Sequence, residues 1–188
     1  MGMPSKLLTH IAAFDHQAMH WMESRRVSPF TSFLAFITFS AGGMSWTLVS
    51  IVLVLLQLLR ISILPAQTAF LSGMSCALLA WASGSLAKKA FKRARPEKHE
   101  GLTAVVKTPG CGSFPSSHTG SVVALFVALI ILHHPLAGVV GVWAIFVTFS
   151  RFYLGVHFPS DLLGGIFLGT LCGFCVLPIN SLVHALAF

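Results

Sequence analysis

The stretch SRFYLGVHFPSD, residues 150–161, sets an arginine, a histidine and an aspartate between two long uncharged runs. No Asp, Glu, Lys or Arg occurs from 108 to 150 on one side, and none from 162 to 188 on the other. Two more uncharged runs cover 27–59 and 61–87. A helix that crosses a bilayer needs about 20 mostly apolar residues, so these runs hold five spans readily and roughly six if some are short. In lipid a helix bonds every backbone polar group within its own segment. The predicted fold is therefore all-α, a polytopic membrane helical bundle with about six transmembrane helices. Ionisable groups beside a bilayer are costly unless they have a task, which makes 150–161 a candidate site.

The composition agrees. Of 188 residues, 55% are hydrophobic and only 9% are charged, and the mean hydropathy is +0.84. The net charge of +7 does not point to nucleic acid, because seven of the twelve Lys and Arg lie between Lys88 and Lys107. A local basic cluster beside a membrane suits anionic lipid or a phosphate-bearing ligand. The four cysteines, three of them in apolar runs, do not form a disulfide framework. Cys172 and Cys175 have redox spacing but read better as small packing residues. The first apolar run begins near Phe30, so no secretory signal peptide is expected at the start. A single membrane-embedded domain over 1–188 is expected, with no internal repeat.

Taken in order, residues 5–24 space Leu7, Leu8, Ile11, Phe14, Ala18, Trp21 and Met22 along one helical face, which predicts an amphipathic helix in the membrane interface. Spans are expected at 30–41 (short, ending at Gly42-Gly43), 44–59, 66–91, 116–132, 136–149 and 159–177. Pro29 and Pro159 suit first helical turns. In the third span Ser72, Cys76, Ala80 and Gly84 form a small-residue stripe that ends in Lys88. Gly165, Gly169 and Gly173 form a second stripe in the sixth span, better suited to internal packing than to dimerisation.

Three polar clusters end on one membrane face by the count of crossings. Lys88 closes the third span, Ser116 opens the fourth, and 150–161 joins the fifth to the sixth. Lys88 and Arg95 share a face if the helix persists to Arg95, which suits an oxyanion; the same cations could equally snorkel to headgroups. Ser116 is a good N-cap, and a helix N-terminus binds anions, with His118 in that first turn. Asp161 can reach back to His157 and orient its ring, although a structural His–Asp pair would look the same. His99, Cys111, His118 and His157 also share this face. Their spacing is not that of metal ligands, and the surrounding Lys and Arg would repel a cation, so no metal is expected.

Together the clusters read K-x6-R-P, P-S-S-H and S-R-x5-H-x3-D over residues 88–161. This resembles the signature of the type 2 phosphatidic acid phosphatase family, membrane relatives of acid phosphatases and vanadium haloperoxidases. The family's second motif usually has Gly where Ser117 stands. The resemblance implies a lipid phosphatase without cofactor or metal. In it His157 would be the nucleophile that forms a phosphohistidine, Asp161 would hold its ring, and His118 would be general acid and then base. Lys88, Arg95, Arg151, Ser116 and Ser117 would bind the phosphate oxygens. The partners implied are the bilayer and a phosphorylated membrane lipid: undecaprenyl diphosphate, phosphatidylglycerophosphate or phosphatidic acid.

The resemblance also implies a bacterial inner membrane, with the site on the periplasmic or extracellular face. The positive-inside rule points the other way. It sets Lys6, Arg25, Arg26 and Arg60 on one side against eight cations on the site side, several of which serve phosphate rather than topology. Alternatives are a lipid A phosphatase or phosphotransferase of the same family, a haloperoxidase, and a non-catalytic protein that binds or transports anionic lipid.

Overall fold

The computed structural model describes residues 3–59, 61, 67–99, 101–108, 110 and 112–187. Arg60 and Cys111 lie outside the described residues. Among the described residues there are eight α-helices and no strand. They are α1 (Met3–Glu23), α2 (Ser28–Ser40), α3 (Gly43–Leu58), α4 (Gln67–Phe91), α5 (Ser117–Ile131), α6 (Ala137–Tyr153), α7 (Pro159–Phe174) and α8 (Val176–Ala187). The all-helical membrane bundle expected from hydropathy is what forms.

The crossings are counted differently from the expectation of six. By length and apolarity α4 can cross alone, while α2 with α3 and α7 with α8 qualify as pairs bent by 48° and 46°. α5 and α6 are shorter apolar helices. The chain path shows that α2 and α3 run in the same direction. Phe30 packs on Tyr153 and Phe33 on Phe146, and Trp143 donates to Ser40 Oγ at 3.0 Å, so α2 is antiparallel to α6. A Cβ on Gly43 would lie 3.0 Å from the Trp81 ring, and Gln67 Nε2 donates to Gln57 Oε1 at 3.2 Å, so α3 is antiparallel to α4. Both α4 and α6 end at the polar face, so α2 and α3 both leave it. They make one span broken at Ala41–Gly42. α8, which the sequence reading did not foresee, continues α7 past Cys175, with Ser72 Oγ donating to Asn180 Oδ1 at 2.9 Å. The path therefore makes five crossings.

One consequence concerns α1. It docks on the same face as the three polar clusters, where the following Arg26 donates from Nε to the Tyr153 carbonyl at 2.9 Å. This reverses the expected placement of Arg25 and Arg26 on the opposite side. Leu7, Leu8, Phe14 and Trp21 are exposed, as an interfacial helix requires, whereas Asp15, Met19 and Met22 are buried against the bundle.

The small-residue stripes act as internal seams. Ser72, Cys76, Ala80, Gly84 and Lys88 are all buried. On α7, a Cβ at Gly169 would lie 2.3 Å from the Gly120 carbonyl oxygen, and one at Gly165 would lie 2.7 Å from that of Ser116. α5 and α7 run parallel at this close approach, which lipid-exposed helices achieve only with small residues. The seam holds the starts of α5 and α7 side by side at the polar face.

Candidate active site

Two helix starts, two helix ends and the segments that follow α4 and α6 build the site. Lys88 sits in the last turn of α4. The helix stops at Phe91, where the sequence places its end, and Lys92 adopts a left-handed φ of 48°, so the condition for Lys88 and Arg95 to share a helical face is not met. Pro96 disfavours helix at Arg95, and the chain there is extended, leading into a 3₁₀ turn, Pro96–Lys98. Arg95 is turned inward by this loop and donates to the Val156 carbonyl at 3.0 Å. α6 also runs further than expected. Ser150 and Arg151 lie in its last turns, and Gly155, with φ of 77°, turns the chain back toward His157. A side chain at Gly155 would meet the Thr103 carbonyl oxygen at 2.3 Å.

The three motifs are bonded to one another. Lys88 Nζ donates to Ser117 Oγ at 2.9 Å. Arg95 reaches the residue before His157. The Ser116 amide donates to the Asp161 carbonyl at 3.0 Å. Lys88, Arg95, Arg151, Ser116, Ser117, His157 and Asp161 are all buried, and half-buried His118 lies within electrostatic reach of Arg151, His157, Lys88 and Arg95. All eight residues singled out from the sequence thus converge at one end of the bundle.

Each has identifiable support. Ser116 caps α5, accepting from the Thr119 amide at 3.4 Å. The Ser117 hydroxyl fits because Gly84 faces it; a Cβ on Gly84 would lie 2.9 Å from Ser117 Oγ. His157 Nδ1 is 3.4 Å from Asp161 Oδ2, and that same oxygen accepts from the Phe158 amide at 2.9 Å. Asp161 is the third residue of α7, so this bond also caps the helix. Among the described residues, buried His157 Nε2 and Arg151 Nε have no hydrogen-bond partner. An unpaired buried polar atom is costly, and here two of them belong to one cluster.

Burial, and then the positive charges of Arg151, Arg95 and Lys88, hold the His157 pKa well below its ordinary 6.5. The ring is neutral at neutral pH and its Nε2 lone pair is available. The folding linkage has a definite sign. Between the lowered value and 6.5 the unfolded chain binds a proton that the folded chain does not, so this group subtracts stability as pH falls through that window.

Three supporting residues were not singled out in the sequence. Arg93 donates to Asp161 Oδ1 at 2.7 Å and to Asp15 Oδ2 at 2.6 Å, and its guanidinium lies 4.5 Å from the centre of the Phe158 ring. Thr38 of α2 accepts from Arg151 at 2.6 Å. Asp15 reaches the site from α1. The signal for Thr38 was faint, one threonine in an apolar helix; for Arg93 it was hidden among six other cations between Lys88 and Lys107.

A cavity of about 500 Å³ opens beside these groups, lined by Lys88, Lys89, Lys92, Arg93, Arg95 and Lys98 among others. His157 is not part of that lining and is only 1% exposed. The cavity is a cationic vestibule that shares Lys88 and Arg95 with the cluster around His157, and its charge attracts anions.

Residues 67–183 match the PAP2 superfamily. Among curated relatives, the decaprenylphosphoryl-5-phosphoribose phosphatase of Mycobacterium tuberculosis is 33% identical over 106 residues, covering 52% of this chain and 53% of that protein. The chain spans about half the length of this relative, and less of several others. In overall shape it is similar to a transmembrane PAP2-type phosphatidylglycerolphosphate phosphatase from Bacillus subtilis, with a TM-score of 0.64, 21% identity, and coverage of 96% of this chain and 97% of that one. It is also similar to LpxE from Aquifex aeolicus, with a TM-score of 0.68, 18% identity, and coverage of 86% and 93%.

Proposed function

The chain belongs to the PAP2 superfamily, and from that premise we propose that it is a membrane lipid phosphatase acting through a phosphohistidine. The observation that carries the reading is buried His157, neutral and unpaired at Nε2, held at Nδ1 by Asp161, with three buried cations around it. His157 Nε2 attacks phosphorus, and the bond from phosphorus to the lipid oxygen breaks. His118 gives its proton to that leaving oxygen. His118 then takes a proton from water, whose oxygen displaces His157 and releases phosphate. Lys88, Arg95 and Arg151, with Ser116, Ser117 and the amides opening α5, hold the non-bridging oxygens. Positioning and charge stabilisation dominate phosphoryl transfer, and three fixed cations provide both without a metal.

The substrate class follows from where the vestibule lies. It opens at the polar end of a lipid-facing bundle, so the head of an amphiphile meets the cations while its tail stays in the bilayer. Undecaprenyl diphosphate, phosphatidylglycerophosphate and phosphatidic acid all have this form, and the relatives' names favour a lipid-linked phosphate. The proposal includes a bacterial inner membrane with the site on the periplasmic or extracellular face. Several cations that would argue otherwise are engaged. Arg93 pairs with Asp15 and Asp161, Arg26 with Glu23, and Lys88, Arg95 and Arg151 serve the phosphate.

The test is release of inorganic phosphate in detergent micelles from those three lipids and lipid A, with EDTA present. Release from at least one lipid in EDTA is expected. A strict requirement for Mg²⁺, or silence across the panel, overturns the assignment. The pH profile gives a second check. kcat/KM reports the free enzyme, and the nucleophile must be neutral, so the acid limb belonging to His157 is expected below pH 6.5. A limb at or above that value would contradict the buried, cation-flanked imidazole.

A further inference from the structure

Asp15 is out of character for its helix. α1 floats an apolar face in the interface, yet Asp15 is 0% exposed. A buried carboxylate is strongly destabilising unless it is paired and hydrogen-bonded, and Asp15 is both. Its Oδ2 takes the Arg93 guanidinium at 2.6 Å. Its Oδ1 takes the Ser160 amide at 3.0 Å, at the start of α7, and the Ser160 hydroxyl donates to Oδ2 beside Arg93. The second arm of Arg93 holds Asp161 Oδ1 at 2.7 Å and Ser160 Oγ at 2.6 Å. With its Oδ1 held, Asp161 has Oδ2 turned to His157 Nδ1 and the Phe158 amide. Asp15, Arg93, Asp161 and His157 thus form one continuous chain of contacts. They come from α1, from the segment after α4, from α7 and from the loop before it.

We propose that Asp15 is a positioning residue for the proposed reaction: it fixes Arg93, and Arg93 fixes the carboxylate that orients the nucleophile. The inference rests on the phosphatase reading above. It makes the interfacial helix part of the active site rather than a membrane anchor beside it. Arg suits the bridge because its planar fork serves two carboxylates at once, which an ammonium cannot do with the same geometry.

The alternative is that Asp15 only caps α7 through Ser160. A double-mutant cycle separates the two. Asp15→Asn, Arg93→Gln and the double variant are assayed for phosphate release from the best lipid of the panel, beside wild type and His157→Ala. Asn keeps an acceptor for the Ser160 amide but loses the charge that holds Arg93. Each single variant is expected to lower kcat roughly 10- to 100-fold, as for misplaced supporting groups, with KM changed less than about twofold. The double variant is expected to be no slower than Arg93→Gln. Wild-type kcat in Asp15→Asn overturns the proposal, and so do losses that multiply in the double variant. If Asp15→Asn does not run as a single species in detergent, Arg93→Lys carries the test. It keeps the charge without the fork, and an unchanged kcat there is equally fatal. An inactive wild type, or an active His157→Ala, would instead overturn the phosphatase reading itself.

Discussion

His157→Ala is expected to lower phosphate release by at least about 10,000-fold, the scale seen when a covalent nucleophile is removed. The loss should fall on kcat, because the cations proposed to bind phosphate are untouched. Nε2 is enclosed and unpaired, Nδ1 is committed to Asp161, and burial among Arg151, Arg95 and Lys88 keeps the ring neutral. His118 is not expected to substitute, since it sits in the first turn of α5 and is proposed to act on the leaving oxygen. The intermediate gives an independent readout. Rapid acid-free quenching with a labelled substrate should trap protein-bound phosphate that is stable to base and labile to acid in wild type. No such label should form in His157→Ala. Turnover in that variant near the wild-type rate would remove His157 from the mechanism.

The largest effect on folding is expected at Gly169. A Cβ there would sit 2.3 Å from the Gly120 carbonyl oxygen and 2.9 Å from Val123 Cβ. The first of these is backbone, so relief requires α5 and α7 to separate. Overpacking of a fitted core costs about 1–3 kcal/mol and sometimes more. Gly169→Ala is expected at the upper end of that range, and Gly169→Leu should not yield a monodisperse protein in detergent. Gly138 is the control, because a Cβ at that position meets nothing within 4 Å. Gly138→Ala should leave the thermal midpoint within a few degrees of wild type, and an equally small shift for Gly169→Ala would refute the seam. Spreading this seam should also cost activity, since Ser116 and Asp161 are bonded across it.

Much of this site was legible in the sequence, because it lies at helix ends and helix ends have chemical signatures. Ser116 and Pro159 mark helix starts, Lys88 ends a stripe of small residues, and polar residues between apolar runs must gather on a face. What was not legible depended on bends and long-range partners. The stretch from Ser28 to Leu58 was read as two spans because Ala41-Gly42-Gly43 resembles a loop; hydropathy does not distinguish a turn from a 48° bend. Lys88 and Arg95 would share a helical face only if the helix persisted to Arg95; it ends at Phe91, and the loop returns Arg95 by another route. Arg93 looked like one cation among many. Its role depends on Asp15, 78 residues away, and no local pattern connects the two. Asp15 lies off the exposed apolar face of α1, and its side of the helix, with Met19 and Met22, packs on protein instead of facing water.

The break in the first span has a consequence for experimental topology. With α2 and α3 as one crossing, the number of crossings is odd, so α1 and α8 emerge in different compartments. A folding-dependent fluorescent reporter joined after α8 therefore samples the compartment opposite the vestibule, whereas one joined ahead of α1 shares it. Had the two helices crossed separately, the same pair of fusions would give matching signals. Two reporters on one polypeptide thus measure the parity of the bundle and, in the same readout, show which compartment the cationic vestibule faces.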